Sequence, residues 1–349
     1  MSDVAIVIVN YNGWQDTLEC LESVFRLASP RYRVIVCDNG STDGSMARIE
    51  AWAAGAVEPD SVTAASTGQF TISPVSKPVP CKRYTRAAAE AGGDAGLDLP
   101  LVLVDCASNL GFAGGNNVGL RYVLAHGDFP YIWLLNNDTV VQPDALDHLV
   151  RRLEEVPAAG MCGSTLLYYD RPQRVQALGG GYYCKWLGLA WHQGRLKRAS
   201  SPIDHRRAER WMNYVVGASL LVRRSFVETV GLLDESYFLY FEELDWALRG
   251  KAQFSLAYAP ASAVFHKVGR SIGANSPPGQ KSALSDYCNV RNRLYFTRRY
   301  YPYALPAICA TLVAAMVLRL LCGRPDRAAM IWHLLRSGGT DFLPPVVRL

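Results

Sequence analysis

The sequence predicts an α/β fold in which a mostly parallel central sheet is flanked by helices and followed by a C-terminal helical appendage. Short apolar runs rich in β-branched residues occur at 4–9, 32–37 and 131–135, and each ends in polar turn residues. Such runs are typical of strands buried on both faces of a sheet. Apolar residues at helical spacing over 17–27 separate the first two runs. A strand, a helix and a strand this close together form a parallel βαβ unit.

The size and composition of the chain limit its class. With 349 residues, half of them apolar, it can bury one large core and form a smaller appendage. Its 36 basic and 31 acidic residues are too evenly balanced to indicate a nucleic-acid partner. The nine cysteines form no C-x-x-C pair, and several lie in apolar runs, which is typical of reduced thiols in a cytoplasmic protein. No basic segment precedes the first apolar run, so we interpret that run as a buried strand rather than a signal peptide.

Changes in composition divide the chain into two regions. Residues 1–270 carry the alternating strand and helix pattern, and 271–349 are expected to form a helical region. Within the first region, 55–98 is rich in Ala, Gly, Ser, Thr and Pro, which indicates a partly flexible surface insertion. In the second, the uncharged stretch 304–318 has fifteen residues, fewer than the roughly 20 that a bilayer span needs.

Polar side chains follow the predicted strands at the point where each strand ends. Asn10 and Asn12 follow the first run, Asp38 and Asn39 the second, and Asn137 the third. Ligands of parallel sheets bind beyond the carboxyl ends of the strands, so these residues are candidate ligand contacts. A carboxylate at Asp38 is suited to accept the ring N–H of uracil or thymine. An ordinary turn explains the polar clusters equally well.

A glycine-rich segment at 109–117 leads into a predicted helix. Gly111 and Asn116 lie in it, and its backbone is open to close approach by a diphosphate or a sugar. It matches neither the dinucleotide fingerprint G-x-G-x-x-G nor a P-loop. Loop geometry alone explains the glycines about as well as ligand contact does.

A candidate metal site follows the third apolar run. Asp138 comes after two asparagines, where a hard cation such as Mg²⁺ or Mn²⁺ can bridge a carboxylate to phosphate oxygens. His266 follows an apolar pair and is a candidate second ligand. A lone histidine behind an apolar strand is, however, more often structural than a ligand.

An acidic cluster set among aromatic residues is the strongest local signal. Glu242, Glu243 and Asp245 fall within four residues of one another and follow Tyr240 and Phe241. Repulsion and burial raise the pKa of such carboxyl groups and make one of them suitable as a general base. An amphipathic helix with acids in its first turn, favourable to the helix dipole, is the alternative.

Taken together, these segments resemble the family 2 glycosyltransferases of the GT-A fold, a Rossmann-like arrangement, and within them a bacterial rhamnosyltransferase-like branch. The segments that carry the resemblance are 9–13, 38–45, 109–117, 134–139, 216–218 and 231–245, together with His266, Gly269 and Ser271. They occur in the order found in the family over roughly residues 4 to 300.

The resemblance implies roles for individual residues. Asp38 resembles the residue that reads a pyrimidine, Asp138 the last carboxylate of the D-x-D metal motif, and Glu243 the catalytic base. His266 resembles the histidine near the metal and the diphosphate. Two departures stand out, since Asn136 replaces the first D-x-D carboxylate and a glutamate replaces the usual aspartate base. The other two acids of the cluster remain rivals for the role of base.

The resemblance further implies an inverting transfer from a dTDP- or UDP-sugar, with rhamnose as a guess, assisted by Mg²⁺ or Mn²⁺. A catalytically silent sugar-nucleotide-binding protein is the alternative. The expected nucleotide contacts are Asn10, Asn12, Asp38, Asn39, Gly111, Asn116 and Asn137. Acceptors in the resembling branch are saccharides, often lipid-linked. Arginines and tyrosines at 291–303, before the apolar stretch, favour peripheral attachment to the inner face of the plasma membrane, although a buried helix or a homodimer contact explains them equally well.

Overall fold

The structure is a computed structural model that describes residues 4–29, 31–57, 74–94, 97–127, 129–267 and 282–339. The boundary expected at 270 and 271, together with Gly269 and Ser271, lies outside these residues. The strands are β1 (Val4–Asn10), β2 (Tyr32–Asp38), β3 (Cys81–Thr85), β4 (Leu101–Asp105), β5 (Tyr131–Asn136), β6 (Thr139–Val141), β7 (Ala159–Tyr168), β8 (Val175–Leu178), β9 (Gly180–Cys184), β10 (Leu189–His192), β11 (Tyr214–Val215), β12 (Ser219–Arg223) and β13 (Ser255–His266). The α-helices are α1 (Trp14–Val24), α2 (Ser45–Ala54), α3 (Arg86–Glu90), α4 (Gly111–His126), α5 (Ala145–Glu155), α6 (His205–Arg210), α7 (Arg224–Val230), α8 (Glu242–Gly250), α9 (Ala283–Tyr300), α10 (Leu305–Leu321) and α11 (Pro325–Ser337).

One half of the sheet is parallel. Strands β3, β4, β2, β1 and β5 lie side by side in this order, and every pair among them is parallel. The α/β architecture predicted from the apolar runs is therefore confirmed. The register sets Asn10 opposite Asp38 and Asp38 opposite Asp105, so the carboxyl ends of these strands form one edge.

The other half of the sheet is mostly antiparallel. Strand β12 pairs antiparallel with both β5 and β7, and β8, β9 and β10 continue from β7. Strand β13 lies parallel to β7 and pairs antiparallel with β6, which sets His266 opposite Thr139. This pairing brings the end of β13 beside Asp138, although the two lie far apart in sequence.

The segment expected to be a surface insertion contributes to the sheet. Within 55–98, β3 pairs in parallel with β4 along its whole length, and α3 follows it. The segment therefore contains an edge strand and a short helix. Strand β3 lies at the edge of the sheet and is mostly exposed, so it lacks the apolar run that marks the buried strands. Residues 58–73 of the segment lie outside the described residues.

Helix α4 packs very closely on β1. A Cβ atom on Gly115 would lie 2.8 Å from Val9 Cγ1, and one on Gly119 would lie 2.4 Å from Val7 Cγ1. Neither distance is sterically allowed, so the helix can approach the strand only because these residues are glycines. This approach places the start of α4 at the carboxyl edge of the sheet.

The C-terminal helices form a second, smaller core. Its buried residues include Leu294 of α9, Ile308 and Leu312 of α10, and Ile331 and Leu334 of α11. For the arginines of α9, peripheral membrane attachment and a buried helix were equal expectations. Two of them fit the buried helix, because Arg291 and Arg293 are buried and donate hydrogen bonds to the backbone carbonyls of Ser236 and Leu187.

Helix α10 is longer than its uncharged stretch indicates. With the 3-10 turn before it, it spans Pro302–Leu321, which is 20 residues with a mean hydropathy of 2.1. Among the described residues it alone is long and apolar enough to cross a membrane, so the expectation that it is too short is wrong. Core helices of soluble proteins can be as long and as apolar, but they are mostly buried. Only 17% of the apolar part of this helix is buried.

Candidate active site

Asn10 is the centre of a buried hydrogen-bond network at the carboxyl edge. Its Nδ2 donates to Asp38 Oδ1 at 2.6 Å and to Ser41 Oγ at 3.1 Å, while its Oδ1 accepts from Thr17 Oγ1 at 2.8 Å. Asn137 Nδ2 joins the network at Thr17 Oγ1, 3.0 Å away. These predicted nucleotide contacts thus lie together, and the amides of Asn10 and Asn137 also hold the strand ends in place.

Asp38 and Asn12 shape the loop that follows β2. Asp38 Oδ1 accepts from Ser41 Oγ at 2.6 Å, and its Oδ2 accepts from the Ser41 N–H at 3.1 Å. The Asn12 N–H donates to Ser41 Oγ at 2.8 Å, and Asn12 Oδ1 accepts from the Thr42 N–H at 2.7 Å. The Asp38 carboxylate is therefore held in a fixed orientation at the end of β2.

Asn39 joins the end of β2 to the glycine-rich segment. Its Nδ2 donates to the Gly111 carbonyl at 2.9 Å, and its Oδ1 accepts from the Leu110 N–H at 3.1 Å. Asn116 Nδ2 donates within α4 to the carbonyl of Phe112 at 2.9 Å. The amide groups of Asn39 and Asn116 are thus used to build the loop.

Residue 111 must be a glycine because of its backbone conformation and because Phe238 lies very close to it. Its φ is +73°, and a Cβ atom there would lie 2.3 Å from the Phe238 carbonyl oxygen. The N–H of the next residue, Phe112, donates to that same carbonyl at 2.6 Å. The glycine-rich segment therefore packs directly against the aromatic segment that precedes the acidic cluster.

Asp138 and His266 form a buried pair at this edge. Asp138 Oδ1 lies 3.2 Å from His266 Nε2, and Asn136 Nδ2 lies 3.5 Å from the same nitrogen. His266 Nδ1 lies 3.0 Å from Gln176 Oε1. Because Gln176 Oε1 can only accept, the proton of a neutral His266 belongs on Nδ1. That tautomer leaves the Nε2 lone pair directed towards Asp138.

This pair has the chemistry of a partial metal site. A carboxylate and an imidazole nitrogen oriented by a further hydrogen bond are suitable ligands for a divalent cation. No group of three or more His, Cys, Asp or Glu side chains arranged to hold a metal occurs among the described residues. Two protein ligands suffice for Mg²⁺, which usually keeps water molecules and binds substrate phosphates. The residues present therefore fit a cation that is shared with a diphosphate.

Glu243 lies at the start of α8 and faces the same edge. It is half-buried, and its Oε2 has no hydrogen-bond partner among the described residues. Burial raises the pKa of Glu243 to about 7, although backbone N–H groups, including that of Gly217, act to lower it. The carbonyl of Ala218, the residue after Gly217, accepts a hydrogen bond from the Asn136 N–H at 3.1 Å. The turn formed by Gly217 and Ala218 therefore contacts both Glu243 and the segment that carries Asp138.

The two rival acids have different surroundings. Glu242 is buried, and burial together with the charge of Glu243 raises its pKa well above the usual range. Asp245 is fully buried, and its carboxylate accepts from Tyr300 Oη at 2.6 Å, Tyr237 Oη at 3.2 Å and Arg249 Nε at 2.7 Å. Asp245 is thus saturated with partners, whereas Glu243 is not.

The segment before α8 has an unusual backbone. Phe238, Tyr240 and Phe241 have φ of 59°, 70° and 77°, a left-handed conformation that costs free energy for residues with a side chain. Asn292 of α9 is fully buried, and its Nδ2 lies within 2.8–2.9 Å of the carbonyls of Tyr237, Leu239 and Tyr240. One side chain thus holds three carbonyls of the strained segment.

Sequence reasoning missed several residues of the site. Gln176 orients His266, Ser41 holds Asp38, and Asn292 holds the segment before α8. Ser41 lies in the polar cluster after β2, so its position after a strand was a usable signal. No local signal marks Gln176 or Asn292, because their partners lie 90 and 52–55 residues away.

Comparison with known proteins finds relatives among the glycosyltransferases. The family model for "Glycosyltransferase like family 2" matches residues 2–297. The chain is 27% identical over 282 residues to an N-acetylglucosaminyl-diphospho-decaprenol L-rhamnosyltransferase of Mycobacterium tuberculosis, covering 78% of this chain and 79% of that protein. It is 21% identical over 218 residues to a low-salt glycan biosynthesis hexosyltransferase of Haloferax volcanii, covering 61% of this chain and 66% of that protein.

Solved structures share the fold. A mannosyltransferase of Pyrobaculum calidifontis in complex with GDP-Man and Mn²⁺ aligns with a TM-score of 0.51 at 16% identity, covering 100% of this chain and 84% of that one. GalNAc-T7 with UDP, GalNAc and Mn²⁺ aligns with a TM-score of 0.50 at 13% identity, covering 76% and 44%. The fold, the acidic site at the carboxyl edge and the match over most of the sequence lead to one conclusion. The chain belongs to glycosyltransferase family 2 and transfers a sugar from a nucleotide sugar.

Proposed function

We propose that the chain is an inverting glycosyltransferase in which Glu243 is the catalytic base. The observation that carries this proposal is a half-buried carboxyl group at the carboxyl edge, with a pKa of about 7 and a side-chain oxygen that has no partner among the described residues. A base with a pKa near the working pH is well matched to proton transfer. Glu243 removes the proton of the acceptor hydroxyl, which then attacks the anomeric carbon as the nucleoside diphosphate leaves.

The surroundings of the other two acids give them different roles. Burial and the charge of Glu243 raise the pKa of Glu242 and favour its protonated form when Glu243 ionises, because two adjacent buried carboxylates repel each other. Asp245 binds Tyr237, Tyr300 and Arg249 and so attaches α8 to α9 and to the segment before it. These contacts support Glu243 as the single base, with Glu242 and Asp245 in other roles.

We further propose that Mg²⁺ or Mn²⁺ assists the reaction. Asp138 and His266 would hold the ion, and the donor diphosphate would complete its ligands. A bound cation neutralises the charge that develops on the leaving diphosphate. The presence of Mn²⁺ in the two solved structures of the same fold supports this proposal. Because Asn136 replaces a carboxylate, we expect metal affinity to depend strongly on the donor.

The proposed donor is a dTDP- or UDP-sugar. Asp38 is held by Asn10 and Ser41 at the end of β2, in a position suited to accept the ring N–H of a pyrimidine. The M. tuberculosis relative is named as an L-rhamnosyltransferase, which supports rhamnose as the sugar.

The proposed acceptor is a saccharide on a lipid carrier. The name of the M. tuberculosis relative specifies an acceptor linked through a diphosphate to decaprenol. Helix α10 exposes apolar side chains, including Val317, Leu318 and Leu321, which supports peripheral attachment to a bilayer. Together these features support a location on the cytoplasmic face of the plasma membrane.

Hydrolysis and transfer with a panel of sugar nucleotides would test the proposed function. The purified chain is mixed with UDP-, dTDP- and GDP-sugars, with Mg²⁺, with Mn²⁺ or with a chelator. We expect turnover of a pyrimidine sugar that requires a divalent cation and gives a product of inverted configuration by NMR. Turnover that is unaffected by chelation, or a product with retained configuration, would overturn the corresponding part of the proposal.

A further inference from the structure

A large cavity lies beside α8. It has a volume of about 810 Å³ and is bounded by the second half of α8, by α6 and by the end of β9. Four basic side chains line it, Lys185, Arg206, Arg210 and Lys251. Glu209 is the only acidic residue in its wall.

The positive charge of this cavity is not compensated. Glu209 already accepts from Arg152 Nη2 at 2.8 Å and from the Tyr258 N–H at 2.8 Å. None of the four basic residues forms an ion pair with a carboxylate in the part of the chain that the structure describes. Four cations around one cavity attract an anion and hold it most strongly when it carries more than one charge.

The mouth of the cavity joins the exposed apolar surface. Trp186 lines the cavity, and its ring lies 5.6 Å from that of Tyr303 in the 3-10 turn that begins the α10 segment. Lys185 Nζ lies 5.3 Å from the centre of the Tyr303 ring. Basic and aromatic side chains beside apolar ones are typical of proteins that sit at a membrane surface.

The turn that carries Trp186 is fixed against the C-terminal helices. Arg293 of α9 donates to the Leu187 carbonyl and to Thr311 Oγ1 of α10. Gly188 has a φ of +63°, and a Cβ atom there would lie 2.5 Å from Arg293 Nε. Leu187 itself is exposed. The turn and α10 therefore present one continuous apolar surface next to the basic cavity.

We propose that this cavity binds the phosphate or diphosphate of a membrane lipid while Trp186 and α10 contact the bilayer. The proposal deepens the membrane contact proposed above and assigns it a site that differs from the arginines of α9. Two lipids share this chemistry, an anionic phospholipid and the lipid carrier of the acceptor. The experiment separates them.

Vesicle binding by the full chain and by two matched triple variants would test the site. The cavity variant carries Arg206→Gln, Arg210→Gln and Lys251→Gln, and the control carries Arg151→Gln, Lys197→Gln and Arg198→Gln. All six side chains are exposed, so both variants should fold, and both lose the same charge. The vesicles contain phosphatidylcholine alone, with phosphatidylglycerol, or with a small fraction of a prenyl diphosphate.

The cavity variant should bind anionic vesicles roughly tenfold more weakly than the wild type, and the control less than about threefold more weakly. A loss confined to prenyl diphosphate vesicles would identify the acceptor carrier as the ligand, and a loss with both anionic vesicles would identify any lipid phosphate. Equal binding by the two variants would overturn the proposal. Donor hydrolysis in the absence of lipid reports the transfer site separately and should be unchanged in both.

Discussion

Glu242 and Glu243 occupy the first turn of α8, and neither carboxylate forms an ion pair with a basic side chain of the described residues. Helix dipoles favour acids at this position, but burial acts in the opposite direction and raises the pKa of both. A buried pair of carboxyl groups shares protons, so the two acids titrate together rather than separately. Near neutral pH the pair is therefore poised between no charge and one negative charge, which lies on Glu243.

The acid pair should make stability depend on pH. The folded-state pKa of Glu243 is about 7, against 4.5 for an ordinary glutamate, so between these values the folded chain binds more protons than the unfolded chain. Stability from this source is therefore full below pH 4.5 and is lost as the pH rises through about 7. Replacing Glu242 with glutamine removes the repulsion. We expect the variant to melt roughly 2–4 °C above the wild type at pH 8 and close to it at pH 5.

Thermal unfolding followed by circular dichroism at both pH values measures this effect. Glu154→Gln is a suitable control, because Glu154 is exposed on α5 and its substitution should leave the pH dependence unchanged. A melting temperature for Glu242→Gln that differs from the wild type equally at pH 5 and pH 8 would rule out the proposed repulsion.

The proposed metal ligands Asp138 and His266 predict that one substitution weakens metal binding and another strengthens it. Asp138→Asn should weaken Mn²⁺-dependent donor binding by at least about tenfold, because it removes a charged ligand. Asn136→Asp should lower the Mn²⁺ concentration that gives half-maximal activity, since residue 136 lies 3.5 Å from His266 Nε2 and would supply a third ligand. Metal titration of donor hydrolysis measures both. An unchanged metal requirement in both variants would place the cation elsewhere.

Among the elements, the contact between the start of α4 and the segment before α8 links the two halves of the site. Gly111→Ala and Gly44→Ala both place a side chain at positive φ, but only residue 111 is crowded, since nothing lies within 4 Å of a Cβ at 44. The change at 44 should cost about 1–2 kcal/mol of stability. Gly111→Ala should cost clearly more and also abolish transfer. Chemical denaturation and activity assays compare them, and equal losses would show that the Phe238 contact is unimportant.

The contact between Asn292 of α9 and the strained segment before α8 gives a second prediction about the elements. Asn292→Asp keeps the shape of the side chain but removes the N–H donors that contact three carbonyls. Because α8 follows directly, we expect kcat to fall about 10–100-fold, while the donor dissociation constant changes little. The control, Tyr295→Phe, lies on the same helix and keeps the aromatic contact with Tyr237. A fall in donor affinity without a fall in kcat would contradict this role.

At the scale of the whole molecule, three parts of the fold meet at one edge. The parallel half supplies Asp38 and Asp138, and the antiparallel half supplies His266 and the turn at Gly217. The C-terminal helices hold Asp245 and the strained segment. The appendage expected from the sequence is therefore part of the framework of the site as well as the surface proposed to contact a membrane.

How much of this could be predicted depends on the range of each interaction. The parallel strands were predictable because β1, β2 and β5 are continuous apolar runs that end in polar residues, whereas the mostly exposed β3 was not. The acidic cluster was predictable as a group. Its division of roles was not, because Tyr300, which binds Asp245, lies 55 residues further along the chain. Local sequence carries no signal for such contacts.

Glu243→Gln provides the most direct test of the central claim, that Glu243 is the catalytic base. Glutamine keeps the size of the side chain but cannot remove a proton, so we expect donor affinity to be retained while transfer falls by about 10²–10⁴-fold. Glu242→Gln is the matched control and should retain most transfer, because burial and the charge of Glu243 already favour the protonated form of Glu242. Single-turnover transfer with donor binding measured by calorimetry gives both values. Transfer by Glu243→Gln at the wild-type rate would contradict the claim.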